Sequence, residues 1–386
     1  HQAIPQGGGS SEVKPGHPAN FLSGILNNVH PSTKVFYSRG TPDMNVIVHK
    51  SQFTTEPNGT ITGFVGEYFD NMDLKGSPIV TRIDPVLSFA WKERSFMPKG
   101  PVNHYSARWR GNFQPTADGE YTFYVSGNDG FRLYIDDAVI LDSWNDEGED
   151  RESMQWKTEP LIAGKNYGIR LEYCVDYGSQ GIQFGCKQGI ETSIEEAKKI
   201  ASWVDAVVLT VGFDNTLEGE DWDRSFQLPD PQNELITQVL HANKNTTVVI
   251  TAGGNVDMSS WISDTPALIH AWYPGQEGGT ALAHILFGKV NPSGKLPVSF
   301  ERKWEDNPTF SSYHDCNNTH RVTYSEGLFL GYRYFDKSVT KPLFAFGHGL
   351  SYTTFSYSNL SISEQPQGTY LVSFDICNTG QREGAE

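Results

Sequence analysis

One short acidic segment holds the densest group of side chains able to do acid–base chemistry. It has the sequence Glu218-Gly-Glu-Asp-Trp-Asp-Arg224, with four carboxylates, one indole and one guanidinium. Crowded carboxylates raise one another's pKa, which keeps an acid protonated near neutral pH. We therefore predict an acid–base site in this segment. A solvated acidic loop and a divalent-cation loop stay open as alternatives, although the ligand register of a calcium loop is missing.

A second segment of interest has the sequence Ala271-Trp-Tyr-Pro-Gly-Gln-Glu-Gly-Gly279. Both segments follow predicted strands, which end at 211 and 272. In open α/β sheets, ligands bind beyond the carboxyl ends of the strands, so both segments lie where a ligand is expected. The alternative for the second segment is a plain turn into a helix, with glycines for close packing.

Other catalytic chemistries find no support in the sequence. It has no Gly-x-Ser-x-Gly motif for a serine nucleophile and no Cys-x-x-Cys pair for zinc or redox chemistry. His314 and His320 flank a loop without further metal ligands. The Gly-rich loop over 7–10 lacks the Lys-Ser/Thr and the preceding strand of a phosphate-binding loop. We therefore predict no metal, no nucleotide and no cofactor.

Hydrophobic periodicity predicts the elements that must position these loops. Apolar runs that alternate with amphipathic helices are typical of a parallel α/β sheet. Its helices are predicted over 193–203, 232–242 and 278–287, and its strands over 206–211, 247–251 and 267–272. Earlier in the chain, a helix over 21–28 and a strand over 34–38 would supply its first elements. The β region that follows these first elements, and that precedes the helix over 193–203, would then be an insertion within one α/β domain.

The pattern changes over 63–187, where short alternating runs between turn residues predict an all-β sandwich. The runs over 167–175 and 181–187 are predicted to form its closing hairpin. This hairpin would place Cys174 and Cys186 on paired strands, where a disulfide would stabilise the fold by roughly 3 kcal/mol. Two unrelated buried thiols are the alternative. Strands over 355–362 and 369–377 begin a further β domain, and because two strands cannot bury a core alone, we expect a cut C-terminus.

Six pieces of the sequence resemble, in order, the C-terminal α/β domain of glycoside hydrolase family 3. They are Glu218-Gly-Glu-Asp-Trp-Asp-Arg with Leu228-Pro, Ala271-Trp-Tyr-Pro-Gly-Gln-Glu-Gly-Gly, Leu286-Phe-Gly, Asn291-Pro-Ser-Gly-Lys-Leu-Pro, Tyr324-Ser-Glu-Gly-Leu-Phe-Leu-Gly-Tyr-Arg-Tyr-Phe-Asp and Phe346-Gly-His-Gly-Leu-Ser-Tyr-Thr-Thr-Phe. The Gly-rich loop looks like the opening loop of the same domain. The β region is similar to the domain named after anthrax protective antigen, and the tail resembles the start of a fibronectin type III-like domain.

This resemblance implies a domain organisation. An α/β sandwich domain occupies 1–52 and 189–354 and is interrupted by the β-sandwich over 53–188. The truncated start of the fibronectin type III-like domain occupies 355–386.

The resemblance also implies a retaining exo-β-glycosidase, in which one carboxylate is the nucleophile and another is the general acid and base. In the family, the nucleophile is an Asp of an N-terminal barrel domain, which also binds most of the −1 sugar and which this sequence does not contain. The family pattern Glu-x-Glu-Gly-x-Asp-Arg places the acid/base at Glu220, with Glu218 as the alternative. Asp221 replaces the usual Gly and is expected to raise the pKa of the acid further. Asp223 and Arg224 are expected to hold the loop by a charge-assisted pair.

The insertion is expected to shape the aglycone side of the cleft, with aromatic rings that stack on a sugar. The candidate rings are Trp91, Trp109, Trp144 and Trp156. A remote glycan anchor is the alternative. In a carbohydrate-binding or adhesin module without catalysis, the pairs Asn128-Asp129 and Asp136-Asp137 would bind calcium.

Composition limits the partners. The chain has 30 Lys and Arg against 46 Asp and Glu, a net charge of −16, which argues against nucleic acid and anionic membranes as partners. No apolar run approaches the roughly 20 residues of a spanning helix, which predicts a soluble protein. Glycosylation sequons begin at Asn58, Asn245, Asn317 and Asn359. Together with the acidic composition they favour secretion. Because no signal peptide precedes His1, we expect processing or a longer polypeptide.

The leading hypothesis is therefore the C-terminal half of a secreted retaining exo-β-glycosidase, with a β-glucosidase as the first choice. Its partners would be an oligosaccharide or β-glucoside substrate and the barrel domain, on the same chain or another. A β-xylosidase or a xyloglucan-oligosaccharide hydrolase is the alternative within the enzyme class. The non-catalytic module is the alternative outside it. The substrate-binding residues and the oligomeric state, a homo-oligomer included, stay open.

Overall fold

A computed structural model describes most of the chain. The described residues are 4, 7, 9–11, 13–41, 44–90, 101, 103–127, 130–144, 152–176, 181–188, 193–214, 217–220, 224–229, 231–313 and 321–386. Several residues singled out from the sequence lie outside these ranges: Trp91, Asn128, Asp129, Asp221, Asp223, His314, Asn317 and His320.

Helices are few and short. They are α1 (Phe21–Leu26), α2 (Met44–Lys50), α3 (Ser193–Ala201), α4 (Gln232–Ala242), α5 (Gly278–Leu286) and α6 (Tyr332–Lys337). The strands of the first half are β1 (Phe53–Thr54), β2 (Phe64–Phe69), β3 (Val80–Asp84), β4 (Ser88–Ala90), β5 (Tyr105–Phe113), β6 (Tyr121–Gly127), β7 (Phe131–Ile135), β8 (Ala138–Ser143), β9 (Glu152–Lys157), β10 (Tyr167–Val175) and β11 (Gly181–Gln188). The strands of the second half are β12 (Val207–Gly212), β13 (Thr246–Thr251), β14 (Ala267–His270), β15 (Phe355–Gln365) and β16 (Thr369–Asn378).

A parallel sheet forms the centre of the α/β part. Its order is β12-β13-β14, with both pairs parallel, as the alternation of apolar strands and helices predicts. Helix α4 connects the first two strands and buries Leu235, Ile236, Val239 and Leu240. These side chains join the buried strand residues in one apolar core. The parallel arrangement brings the loops after all three strands to one edge of the sheet.

The strand predicted over 34–38 is wrong. This segment has irregular backbone with no strand pairing among the described residues, and it lines a cavity together with residues of β12. The ring of Phe36 instead packs edge-on against Trp203, 4.5 Å between centroids, just after α3.

The region from β1 to β11 forms two antiparallel sheets that share one aromatic core. The larger sheet has the order β3-β2-β5-β10-β7-β8, with β1 beside β5, and the smaller has the order β4-β11-β6-β9. Phe53, Phe64 and Trp109 from the larger sheet share the core with Phe123 and Phe184 from the smaller one. The region is thus a sandwich of two packed sheets.

The predicted closing hairpin is wrong, and the disulfide with it. Strand β10 pairs with β5 and β7, whereas β11 pairs with β4 and β6. The chain therefore crosses from one sheet to the other between these strands. Cys174 and Cys186 are separate, buried thiols. Burial raises the pKa of Cys186 to about 12, which makes this thiol a poor nucleophile.

The segment that leads into the sandwich is attached to the strand that leaves it. Ser51, just after α2, accepts a hydrogen bond at its Oγ from the amide of Cys186 over 2.7 Å. The same hydroxyl donates to the carbonyl of Ile47 over 2.7 Å. A Cβ at Gly185 would lie 3.0 Å from the Val48 backbone, so α2 lies almost directly on β11.

The C-terminal part exposes much apolar surface. Strands β15 and β16 form an antiparallel hairpin whose residues are nearly all exposed. The segment before it, 321–352, is largely irregular and leaves Tyr324, Leu328 and Leu350 about four-fifths exposed, at 82%, 80% and 77%. Within the described ranges, none of the helices has the length and apolar character needed to cross a membrane.

Candidate active site

Four loops meet at the carboxyl edge of the parallel sheet. They are the loops after β12, β13 and β14 and the Gly-rich loop near the start of the chain. Together they line an open cleft of about 880 Å³, a size that suits a small ligand. Gly212 ends β12 with a φ of +135°, and a Cβ there would lie 1.9 Å from the carbonyl oxygen of Thr251. Only glycine therefore allows the chain to turn into the acidic loop at this point.

Glu218 is fixed by three hydrogen-bond donors from three different loops. Its Oε1 accepts from Arg224 Nε over 2.6 Å. Its Oε2 accepts from the amide of Gly253 over 2.8 Å and from the hydroxyl of Tyr273 over 2.5 Å. The side chains of Glu218 and Arg224 are only 15% and 14% exposed. Since these donors occupy both oxygens, Glu218 ties the loops after β12, β13 and β14 together.

Arg224 completes this attachment. It donates from Nη1 to the carbonyl of Ser225 and from Nη2 to the carbonyl of Asn255, both over 2.8 Å. Its guanidinium also lies 4.5 Å from the centre of the Phe213 ring. The predicted partner Asp223 lies outside the described residues, and the pair that the structure places here is Arg224 with Glu218.

Glu220 has a different environment. It is exposed at the cleft, and its Oε1 accepts from the Ser10 hydroxyl over 2.7 Å while Oε2 accepts from the Ser10 amide. These hydrogen bonds stabilise the carboxylate and lower the pKa of Glu220. The expectation of a raised pKa from crowded carboxylates is therefore wrong for this arrangement. The nearest carboxylate in sequence that is described, Glu218, faces Arg224 instead.

Two residues beside Glu218 were not found from the sequence. Burial, and then the hydrogen bond to Glu218, raise the pKa of Tyr273, so its phenol stays a donor. His270 lies on the other side, where its Nε2 contacts the carbonyl of Gly254 over 3.1 Å and its ring packs against Trp272 and Phe300. Burial lowers the pKa of His270, which keeps the imidazole neutral near pH 7. The useful sequence observation was that His270 ends β14 and Tyr273 follows it.

Trp272 has an unusual backbone conformation between these two residues. Its φ is +50°, in the left-handed region that side chains with a Cβ rarely adopt. Such a conformation costs about 1–2 kcal/mol and persists where the surrounding contacts require it. Trp272 stands between His270, which ends β14, and Tyr273, whose phenol reaches Glu218.

The candidates in the sandwich do not join this site. Trp109 is fully buried, and its Nε1 donates to Asp84 Oδ2 over 2.8 Å. Trp144 is half-buried beneath Arg132, and Trp156 packs against the core. Trp109 is therefore unavailable for stacking on a sugar, whereas Trp144 and Trp156 are each half-buried.

The predicted calcium ligands occupy a turn instead. Asp136 and Asp137 both have positive φ, at 48° and 63°, as a two-residue turn between β7 and β8 requires. Asp136 Oδ1 accepts from the amide of Gly168 over 2.7 Å, and Asp137 lies 3.6 Å from Arg170. Among the residues that the structure describes, no three His, Cys, Asp or Glu side chains are grouped as metal ligands.

The three described sequon residues, Asn58, Asn245 and Asn359, are all exposed. The side-chain amide of Asn245 donates to the carbonyl of Asp205 over 2.8 Å, and that of Asn359 donates to Asp375 over 2.6 Å. Both contacts lie at the surface of the protein.

The family follows from sequence comparison. Residues 1–352 match the profile of the Glycosyl hydrolase family 3 C-terminal domain. The chain therefore belongs to glycosyl hydrolase family 3.

Named relatives share this assignment. Probable beta-glucosidase I of Aspergillus flavus is 30% identical over 410 residues, which cover 98% of this chain and 48% of the relative. Probable beta-glucosidase I of Aspergillus clavatus is 36% identical over 310 residues, which cover 73% and 37%. The chain spans about half the length of the relatives it matches, or less.

Solved structures agree with this similarity. The β-glucosidase from Kluyveromyces marxianus, in complex with glucose, is 30% identical with a TM-score of 0.59 and covers 98% of this chain and 47% of its own. DesR, a β-glucosidase from Streptomyces venezuelae in complex with D-glucose, is 27% identical with a TM-score of 0.59, covering 99% and 43%. Both alignments include the two-sheet sandwich as well as the α/β part.

Proposed function

We propose that this chain is the C-terminal half of a secreted retaining exo-β-glycosidase that releases the non-reducing-end sugar of β-linked oligosaccharides. The observation that carries the proposal is the contrast between two carboxylates in one cleft. Glu218 accepts hydrogen bonds from three loops, whereas Glu220 is exposed and, among the described contacts, accepts from Ser10 alone. A general acid and base must exchange protons with the substrate, which requires an exposed environment like that of Glu220.

In this proposal, Glu220 is the general acid and base, and Glu218 is a positioning residue. Protonated Glu220 gives its proton to the glycosidic oxygen while a carboxylate of the barrel domain attacks the anomeric carbon, and the bond to the leaving group breaks. The Glu220 carboxylate then takes a proton from water, and that water releases the sugar from the covalent intermediate. Glu218 holds Arg224 and Tyr273 so that the loop carrying Glu220 keeps its place.

The nucleophile is proposed to come from a barrel domain that covers the cleft. A retaining glycosidase needs its two carboxyl groups about 5–5.5 Å apart, and the exposed position of Glu220 leaves room for a second domain. The exposed apolar side chains of 321–352 support such a partner, because soluble proteins rarely leave large apolar patches uncovered. Tyr324, Leu328 and Leu350 are the side chains that we expect the barrel to bury.

The names of the relatives favour glucose as the released sugar, since the matched proteins are β-glucosidases. A β-xylosidase or a xyloglucan-oligosaccharide hydrolase stays the alternative, because the −1 pocket would lie on the barrel. The sandwich from β1 to β11 is proposed to be the protective-antigen-type insertion on the aglycone side, and the hairpin β15–β16 to be the start of a fibronectin type III-like domain. Secretion and glycosylation are supported by the exposed sequon residues Asn58, Asn245 and Asn359.

The test uses the full-length enzyme that carries this chain. It should hydrolyse an aryl β-glucoside and cellobiose, whereas the 386-residue chain alone should hydrolyse neither. Glu220→Gln should lower cellobiose hydrolysis by roughly 10²–10⁴-fold, with a smaller loss on an aryl glucoside and partial rescue by azide, which needs no base. Turnover by the isolated chain, or azide rescue of Glu218→Gln and not of Glu220→Gln, would contradict the proposal.

A further inference from the structure

The Gly-rich loop lies directly on the proposed acid/base. Ser10 contacts both oxygens of Glu220, through its hydroxyl to Oε1 over 2.7 Å and through its amide to Oε2. The two residues are 210 positions apart in sequence. The loop before α5 and the start of α5 hold the end of this segment in place, because Ala19 donates to the carbonyl of Gln276 over 2.8 Å and accepts from the amide of Gly279 over 3.0 Å.

Two glycines make this close approach possible. Gly9 has a φ of +72°, and a Cβ there would lie 2.7 Å from both Cβ and Oε2 of Glu220. A Cβ at Gly7 would lie 2.8 Å from the ring of Tyr273. Any larger residue at these positions would push the loop away from the carboxylate. Close contact with the candidate site therefore explains why glycine occupies both positions, and binding of a phosphate is not needed to explain it.

We propose that Ser10 is a positioning residue for Glu220, holding the carboxylate in the orientation in which it takes a proton from water. This inference rests on the proposed role of Glu220 as acid and base. In the first step Glu220 must carry a proton on one oxygen. Either the Ser10 hydroxyl must then turn to accept that proton, or one of the two hydrogen bonds from Ser10 must break. In the second step the carboxylate form is required, and the two donors of Ser10 favour that form. Ser10 therefore supports the breakdown of the covalent intermediate more than its formation.

The other ionisable groups around the cleft do not replace Ser10. Lys14 lines the cleft from the same segment as Ser10, and Glu218 and Tyr273 line it from the loops after β12 and β14. Glu218 faces Arg224 and accepts from Tyr273, so these three groups are occupied with one another. Asp221 and Asp223 lie outside the described residues. Ser10 is the group in the described part of the cleft that donates to Glu220.

The test compares Ser10→Ala and Ser10→Thr with the wild type in the full-length enzyme. On an aryl glucoside with a good leaving group, breakdown of the intermediate limits kcat, and Ser10→Ala should lower kcat roughly fivefold. Azide should restore this loss and form the glycosyl azide. In Ser10→Ala the basic limb of kcat/KM for cellobiose should move to higher pH, because that limb reports the general acid of the free enzyme and the hydroxyl donor that favours its ionised form is gone while the amide donor remains. Ser10→Thr keeps the hydroxyl and should behave as the wild type.

Further variants separate positioning from folding. Gly9→Ala adds a methyl group against Glu220 and should reproduce the Ser10→Ala profile. Two controls make the same chemical changes elsewhere: Ser202→Ala removes an exposed hydroxyl bonded to the Lys199 carbonyl, and Gly294→Ala adds a methyl group into open space. Both should keep the wild-type kcat and pH profile.

The outcomes are distinguishable. An inactive wild-type enzyme, or an unaffected Glu220→Gln, would overturn the proposed function and the role of Ser10 together. A disabled Glu220→Gln with an unchanged pH profile and kcat in Ser10→Ala and Gly9→Ala would overturn the role of Ser10 alone. A loss in Ser10→Ala that azide does not restore would also overturn it, because a general structural defect is not repaired by a nucleophile.

Discussion

The phenol of Tyr273 donates to Glu218 Oε2 over 2.5 Å and so joins the loop after β14 to the loop after β12. These residues are 55 positions apart, and their contact depends on the positive φ of Trp272. Since Glu218 lies two residues before Glu220, the position of the proposed acid/base depends on a side chain at the end of another strand.

Tyr273→Phe tests this link. The variant removes one donor from a carboxylate that is 15% exposed and should lower the free energy of unfolding of the chain by about 1 kcal/mol. Chemical denaturation measures the change. Tyr370→Phe, on the exposed strand β16, is the matched control and should leave the unfolding free energy as it is. A loss of equal size in both variants would contradict a specific role for Tyr273.

The two glutamates should differ in what they do for stability. Glu218→Ala removes the carboxylate that pairs with Arg224, whose side chain is only 14% exposed. Because a nearly buried guanidinium is then left without its partner, we expect a loss of about 2–3 kcal/mol in unfolding free energy. Glu220→Ala removes an exposed side chain and should leave the melting temperature nearly unchanged. Calorimetry on both variants decides the question. Equal destabilisation would argue that Glu220 also holds the fold.

Helices α1 and α5 are in contact through Gly24 and Gly279, so a larger residue at Gly24 should clash with α5. A Cβ at Gly24 would lie 2.0 Å from the carbonyl oxygen of Gly279, and backbone atoms cannot move aside as a flexible side chain can. Gly24→Ala should therefore destabilise the chain by about 1–3 kcal/mol. Gly294→Ala, where the added methyl group meets no atom within 4 Å, is the control. Denaturation curves that coincide for the two variants would exclude close packing as the cause.

The stability of the chain should depend on pH through His270. Burial lowers its pKa in the folded state, so the unfolded chain binds a proton more readily as the pH falls through the ordinary value of about 6.5. The contribution of His270 to stability is therefore complete above this pH and is lost below it. His270→Gln should flatten the decrease in unfolding free energy between about pH 7 and pH 5. His241→Gln, at an exposed position, should keep the wild-type slope.

The sequence was most informative where local pattern and tertiary structure agree. Helix α4 was predicted over 232–242 and spans Gln232–Ala242. The prediction succeeded because the apolar residues of the helix recur at helical spacing and the same residues are buried in the core. The loops at the carboxyl edge of the sheet follow from the same pattern. The contact of Ser10 with Glu220 could not be predicted, because 210 residues separate them and no periodicity records which loops meet.

The errors have physical causes too. Alternation and a short connection are compatible with a hairpin between β10 and β11 and equally with a crossing between two sheets. In the structure β11 pairs with β4 and β6, and its Phe184 packs against Phe53 of the other sheet. The raised pKa expected for Glu220 considered only carboxylates near it in sequence. In the structure Arg224 pairs with Glu218, and two donors of Ser10, from a distant loop, lower the pKa of Glu220.

The hydrogen bond between the Ser51 hydroxyl and the amide of Cys186 joins residues that are 135 positions apart. It closes the chain of the sandwich into a loop whose two ends stay adjacent, and this limits the conformations that the loop can adopt. The first and last strands of the sandwich are therefore fastened at one point, so its two ends cannot separate independently.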